Sequence, residues 1–173
     1  MAPTMSFHFE RWVFRYKYVF GSEHSKYKAR LVAKGFKQEH GVNYEEVLSP
    51  VVKITTFQYS LETIAVEELE LEKMDMKVAF LHGDLHEEIY MSQPTGFTTT
   101  GGDHLVCRLK KSLYSLKQVS CMWYEKSKHH IRQLGYRHTN SDPCLYVKHG
   151  NDKSRIYHIL YVDDMLIAGK DRV

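Results

Sequence analysis

An α+β fold, with antiparallel strands returning beside one another and helices packed on one face, is what this chain predicts. Three observations carry that expectation. Residues 11–20 and 26–34 each alternate with a period of two, as the arms of a β-hairpin do. Two stretches, one starting near Thr55 and one running from about Ser112 to Leu134, carry apolar residues at helical spacing. A second hairpin is written into Ile156–Gly169, where one apolar run enters the pair Asp163-Asp164 and another leaves it. Strands and helices do not alternate throughout, which argues against a parallel doubly wound sheet.

Composition limits the choice of function. The chain has 173 residues, 43% hydrophobic and 26% charged, so it can bury a core and is no disordered tail. A formal net charge of +3 does not by itself demand a polyanion. Cys107, Cys121 and Cys144 match no zinc or redox spacing and read as reduced thiols of an intracellular protein. Met1–Glu10 lacks the apolar core of a signal peptide, and no apolar run reaches the ~18 residues of a membrane span.

In chain order, Trp12, Phe14, Tyr16, Tyr18 and Phe20 form one face of the first strand, with Arg11, Val13, Arg15, Lys17 and Val19 on the other. Gly21–Ser25 supply the turn. On the returning strand Lys26, Lys28, Arg30 and Lys34 share a face, and the span Lys26–Lys37 holds five cations and no acid. Such a face either protects an edge strand or meets phosphates. Gly35–Pro50 reads as loop. Thr55 and Gln58 form a candidate capping box for the first helix, whose stripe is Phe57, Leu61, Ile64, Ala65 and Leu69. Leu71–Val78 is a strand carrying one acid, Asp75. Ala79–Leu85 is a helical turn or tight loop, and Glu87–Met91 and Leu105–Leu109 are short strands. The second helix buries Leu116, Val119, Trp123, Ile131 and Leu134 and ends at Gly135. Asp142–Val147 then leads to a polar turn at Gly150-Asn151 and the closing hairpin.

The Asp163-Asp164 pair is the strongest chemical signal. Asp-Asp is a poor choice for a tight turn. Two carboxylates at ~4 Å repel by about 4 kcal/mol at an effective dielectric near 20. A divalent cation reverses that sign; a solvated turn with the side chains splayed apart avoids it. The residues alone leave both readings open.

Several strings resemble one family. Tyr161-Val162-Asp163-Asp164 is similar to the four-residue box of reverse transcriptases. Lys28–Phe36, Met74–Asp84, Glu88–Phe97, Leu113–Gln118 and Asp142–Tyr146 are similar, in order, to segments of the copia-type LTR retrotransposon polymerase. That family usually reads Gly-Leu-Lys-Gln-Ala-Pro-Arg before its Trp-Tyr pair, where this chain has Ser115-Leu116-Lys117-Gln118-Val119-Ser120-Cys121.

The resemblance implies the fingers and palm of a right-hand polymerase without its thumb. Residues 1–10 would be a tail, and 11–173 a single domain with fingers at about 11–50 and 85–118 and palm at about 51–84 and 119–173. It implies RNA-directed DNA synthesis from deoxynucleoside triphosphates on a template-primer, with two Mg²⁺ ions, or Mn²⁺ in their place. Asp75, Asp163 and Asp164 would be the catalytic, metal-holding acids. Lys28 and Arg30 would hold the triphosphate, Phe80 would lie under the nucleotide sugar, and Gln118 would touch sugar or template. Basic residues Lys110, Lys111 and Lys117 would track phosphates. The alternatives are an inactive, truncated remnant that at most binds nucleic acid weakly, and a two-metal phosphohydrolase.

Overall fold

The computed structural model describes residues 7–8, 10–18, 26–150 and 154–170. In chain order the elements are β1 (Phe7–His8), β2 (Glu10–Lys17), β3 (Lys26–Ala33), α1 (Ile54–Val66), β4 (Glu70–Asp75), β5 (Tyr90–Ser92), β6 (Val106–Arg108), α2 (Val119–Gln133), β7 (Arg137–His138), β8 (Leu145–His149), β9 (Arg155–Tyr161) and β10 (Asp164–Gly169). Short 3₁₀ turns occupy Gly35–Lys37 and Ala79–Leu81. Among the described residues the fold is mixed α/β, with two α-helices and mainly antiparallel sheets. The chain divides into two compact units, 1–47 with 80–122 and 48–79 with 123–173.

In the first unit the alternation read over residues 11–20 and 26–34 gives the two-stranded pair β2–β3 within the bounds Glu10–Lys17 and Lys26–Ala33, residues 19–20 lying outside the described residues. Its register sets Trp12 opposite Leu31, Phe14 opposite Ala29 and Tyr16 opposite Tyr27. Directly opposed residues share a face, so the other face carries Arg11, Arg15, Lys17, Lys26, Lys28 and Arg30. Arg15 faces Lys28 and Lys17 faces Lys26. Like charges directly opposite destabilise a sheet, and no acid in β2 or β3 shares their face. The aromatic face is exposed: Phe14 is 76% and Tyr27 87% accessible. Trp12 and Phe14 stack at 6.2 Å, and Tyr16 and Tyr27 tilt together at 5.1 Å. The turn foreseen at Gly21–Ser25 lies outside the described residues.

A three-stranded sheet, β1-β5-β6, completes this unit. β1 pairs in parallel with β5 through Phe7 and Tyr90, so Phe7–His8 form sheet, not tail. Ala33, Ile89 and Leu116 form the unit's small core. The second helix begins at Val119, not at Ser112. The cause is Ser115, whose φ of +71° takes the left-handed region and cannot continue a helix. This is the position where the copia-type pattern has Gly. Gly35 approaches it so closely that a Cβ there would stand 1.8 Å from the Ser115 carbonyl oxygen.

The second unit is a five-stranded antiparallel sheet, in the order β4-β10-β9-β8-β7, with the helices. β7 was not foreseen. Ile159 and Leu160 are 1% and 2% exposed although neighbours in a strand point to opposite faces, so the sheet centre is covered on both faces. Ile64 of α1 and Leu69 pack with Ala168 and Tyr157, which are opposed and share one face. Tyr124 and Ile131 of α2 belong to the main core with Tyr146, which shares a face with its opposed partner His158, the face opposite that of Tyr157. The expectation of helices on a single face is therefore corrected.

Two more sequence expectations change here. No side chain caps α1 within its own first turn. Instead Asp142, fully buried, accepts the Lys53 backbone N–H at 2.8 Å through Oδ2 and the Cys144 N–H at 2.9 Å through Oδ1. A carboxylate brought from far along the chain thus replaces the Thr55–Gln58 box, and it sits where the helix dipole favours negative charge. Leu61, Ala65 and Leu134 are exposed rather than buried, while Ser60 lies inside with its hydroxyl bonded back to the Thr56 carbonyl.

Candidate active site

The three acids are positioned by the β9–β10 hairpin and by β4 beside it. β10 pairs with β4 so that Asp164 is directly opposite Asp75, and with β9 so that Asp164 is opposite Tyr161. Asp75 and Asp164 therefore share a face at one end of the sheet. Asp163 sits in the two-residue connection. The Met76 N–H donates to the Asp163 carbonyl at 3.2 Å, which ties the end of β4 to that turn.

The positive φ the turn demands falls on Val162, at +55°, and on neither aspartate. A β-branched residue in that region costs on the order of 1–3 kcal/mol and persists only where its surroundings hold it. The indole N–H of Trp123, on α2, donates to the Val162 carbonyl at 2.7 Å. Trp123 is 5% exposed, so the sequence reading of it as core holds, but its one polar atom is spent on this turn.

Electrostatics distinguish the acids. Burial holds the Asp163 carboxyl above the usual carboxylate range, and the charges of Asp75 and then Asp164 push it the same way. Its Oδ1 is buried and has no hydrogen-bond partner among the described residues. Asp164 is paired with Lys73, Nζ to Oδ1 at 3.0 Å, in a half-exposed ion pair. Asp75 is exposed. Among the described residues no three His, Cys, Asp or Glu side chains stand close enough together to hold a metal ion. The backbone brings the acids to one place, while their carboxylates are not drawn into a ready cage. The donors are nonetheless of the right kind: hard oxygens, one of them buried without a partner, suit Mg²⁺.

The remaining sequence candidates lie in the other unit. Lys28 is exposed on the cationic face of β3. Arg30, on the same face, sets its guanidinium over the Tyr114 ring at 5.7 Å. Phe80 meets the same ring edge to face at 6.5 Å. Tyr114, which sequence reasoning gave no role, thus gathers two of the candidates. Its backbone carbonyl also accepts the Ala33 N–H. Gln118 is fully buried. Its Nε2 donates to the Asn43 carbonyl at 2.8 Å, and its Oε1 accepts from Gln38 Nε2 at 2.9 Å. In this structure that amide braces the loop at 38–43. Lys117 Nζ donates to the Gln38 carbonyl and to the Tyr44 hydroxyl, and Lys111 pairs with Asp84.

Residues 8–173 match a family model described as reverse transcriptase (RNA-dependent DNA polymerase). Over 162 residues, 94% of the chain, it is 49% identical to the retrovirus-related Pol polyprotein from transposon TNT 1-94 of Nicotiana tabacum. It is 40% identical over 161 residues, 93% of the chain, to the corresponding polyprotein from transposon RE1 of Arabidopsis thaliana. It is 32% identical over 146 residues, 84% of the chain, to the transposon Ty1-DR5 Gag-Pol polyprotein of Saccharomyces cerevisiae. The chain spans only 12%, 11% and 8% of those three polyproteins. No solved structure matches it. With the four-residue box on a hairpin tip and an unbroken match from residue 8 onward, the chain belongs to the reverse transcriptase family carried by copia-type retrotransposon Pol polyproteins.

Proposed function

We propose that this chain is the fingers and palm of an RNA-directed DNA polymerase, joining a deoxynucleoside triphosphate to a primer 3′-hydroxyl. The observation that carries the reading is the register placing Asp164 opposite Asp75, with the partnerless Oδ1 of Asp163 beside them. Unit 48–79 with 123–173 would be the palm, and unit 1–47 with 80–122 the fingers.

Asp75 and Asp163 would carry two Mg²⁺ ions between them, and Asp164 would serve one. When bound, such ions acidify the attacking hydroxyl and neutralise the leaving pyrophosphate. Asp163 is suited to this by its buried oxygen, which pays a desolvation cost that a cation would offset. Lys28 and Arg30 would bind the triphosphate; the planar fork of Arg suits phosphate oxygens, and stacking on Tyr114 orients it. Phe80 would exclude a ribose 2′-hydroxyl. Gln118 would act through the loop it braces, and the exposed cationic face of β2–β3 would meet template phosphates.

Primer extension on an RNA template with Mg²⁺ tests the reading. Wild type is expected to incorporate deoxynucleotides, and Asp163→Asn to lose at least a hundredfold in rate. Equal incorporation by both would remove the polymerase assignment. A second reading, a silent domain that binds nucleic acid without chemistry, is favoured by the Lys73–Asp164 ion pair, which already neutralises one acid. It predicts salt-sensitive binding with no extension by either protein. Nuclease activity without added nucleotides would point to the phosphohydrolase.

A further inference from the structure

We propose that Trp123 is a positioning residue for the Asp163 carboxylate, acting through the peptide that joins Val162 to Asp163. The inference rests on the reading of Asp163 as a metal-holding acid. The β9–β10 connection has only two residues, Val162 and Asp163, between Tyr161 and Asp164. Val162 holds φ at +55°, a conformation its branched side chain disfavours. Left to itself the turn would relax, and the side chain on the next residue would swing with it.

Two bonds prevent this. The Val162 carbonyl accepts the Trp123 indole N–H at 2.7 Å. The Asp163 carbonyl accepts the Met76 N–H at 3.2 Å. These carbonyls belong to the two peptide planes that flank the Asp163 Cα. Fixing both planes fixes the backbone dihedrals between them, and with them the direction of the Cα–Cβ bond. One restraint comes from α2 and the other from the end of β4, the strand that carries Asp75. Among the described residues the buried Oδ1 of Asp163 has no hydrogen-bond partner, and both bonds at this turn act on backbone carbonyls.

The residue type at 123 follows. Trp is a donor and never an acceptor, and its ring fills a site that is 5% exposed. Phe would fill most of the same space and donate nothing. A purely structural Trp would tolerate that exchange at the turn, whereas a positioning one would not.

The experiment uses the whole chain, with Trp123→Phe and with Trp123 replaced by benzothienylalanine, which keeps the bicyclic shape and lacks the N–H. Two readouts are taken: Mn²⁺ affinity from the free-ion EPR signal, and the metal-free NMR resonances of the labelled Val162 and Asp163 amides. Both replacements are expected to weaken Mn²⁺ binding about tenfold and to broaden or double the two resonances. Adding Val162→Gly, which adopts positive φ without strain, is expected to recover affinity to within about threefold of wild type. Unchanged resonances and unchanged affinity in the benzothienylalanine protein would overturn the proposal, as would a loss that Val162→Gly fails to recover. Failure of wild type to bind Mn²⁺ would instead sink the metal reading of Asp163, and the metal-free resonances would still decide the role of Trp123.

Discussion

Protonating His158 should unfold the second unit from within. The side chain is 4% exposed on β9, and among the described residues neither ring nitrogen has a hydrogen-bond partner. Tyr136 meets it edge to face at 5.6 Å and Tyr146 lies tilted at 6.2 Å. Burial pushes its pKa down from 6.5 to about 4. The unfolded chain therefore takes up the proton first as pH falls. Stability at this site is full above pH ~6.5, falls between there and about 4, and levels off below. At about 1.36 kcal/mol for each pKa unit, the loss approaches ~3 kcal/mol, a sizeable part of a domain's stability. Asp163 acts with the opposite sign: its raised pKa makes the folded state bind the proton more readily, so acid relieves it. Urea denaturation from pH 8 to pH 4, on wild type and His158→Phe, measures the effect. The variant should lose most of the slope between pH 6.5 and 4. It should also gain about 1–2 kcal/mol at pH 7, since two unpaired ring nitrogens are gone. A variant that keeps the full acid slope would refute the account.

Other substitutions have clear expected outcomes. Ser115→Gly should raise stability by about 1 kcal/mol, because only Gly takes a φ of +71° freely; an unchanged urea midpoint would show that the position is not strained. Asp142→Ala should cost about 3 kcal/mol by stranding the Lys53 and Cys144 backbone N–H groups, read as a fall in denaturation midpoint. Arg15→Gln with Lys28→Gln should weaken binding to single-stranded RNA and lower the slope of log affinity against log salt by about 1.4, read by fluorescence anisotropy. Tyr16→Ala should weaken the same binding by ~1–3 kcal/mol without altering that slope, if bases stack on the aromatic face.

How far the fold was legible depended on the range of the interaction. The β2–β3 and β9–β10 strands were plain, because a period of two is local and each pair is adjacent in sequence. The start of α2 was not, since the pattern from Ser112 onward is apolar at helical spacing and only the backbone at Ser115 interrupts it. The Asp142 cap was invisible for another reason: a local Thr-Gln pair imitates a capping box, whereas the carboxylate that serves lies far down the chain. The acids Asp163 and Asp164 announced themselves as an oddity for a tight turn. That Asp75 faces Asp164 needed family resemblance beforehand and the sheet register afterwards, for no local pattern links β4 to β10. Trp123 was legible as core and nothing more, because periodicity reports burial and not where an indole N–H points.

That long reach between β4 and β10 matters for synthesis as well as for chemistry. All six residues of β4 are solvent-accessible even when paired, and among the described residues the only strand bonded to it is β10. On a ribosome, Glu70–Asp75 must wait for nearly the whole described chain to emerge before it finds its neighbour. Until then it is an open edge bearing Leu71 and Met74, a template for wrong pairings between nascent copies. The carboxylate trio is accordingly among the last features to form, and slowing translation before residue 164 should lengthen the period in which that edge stays open.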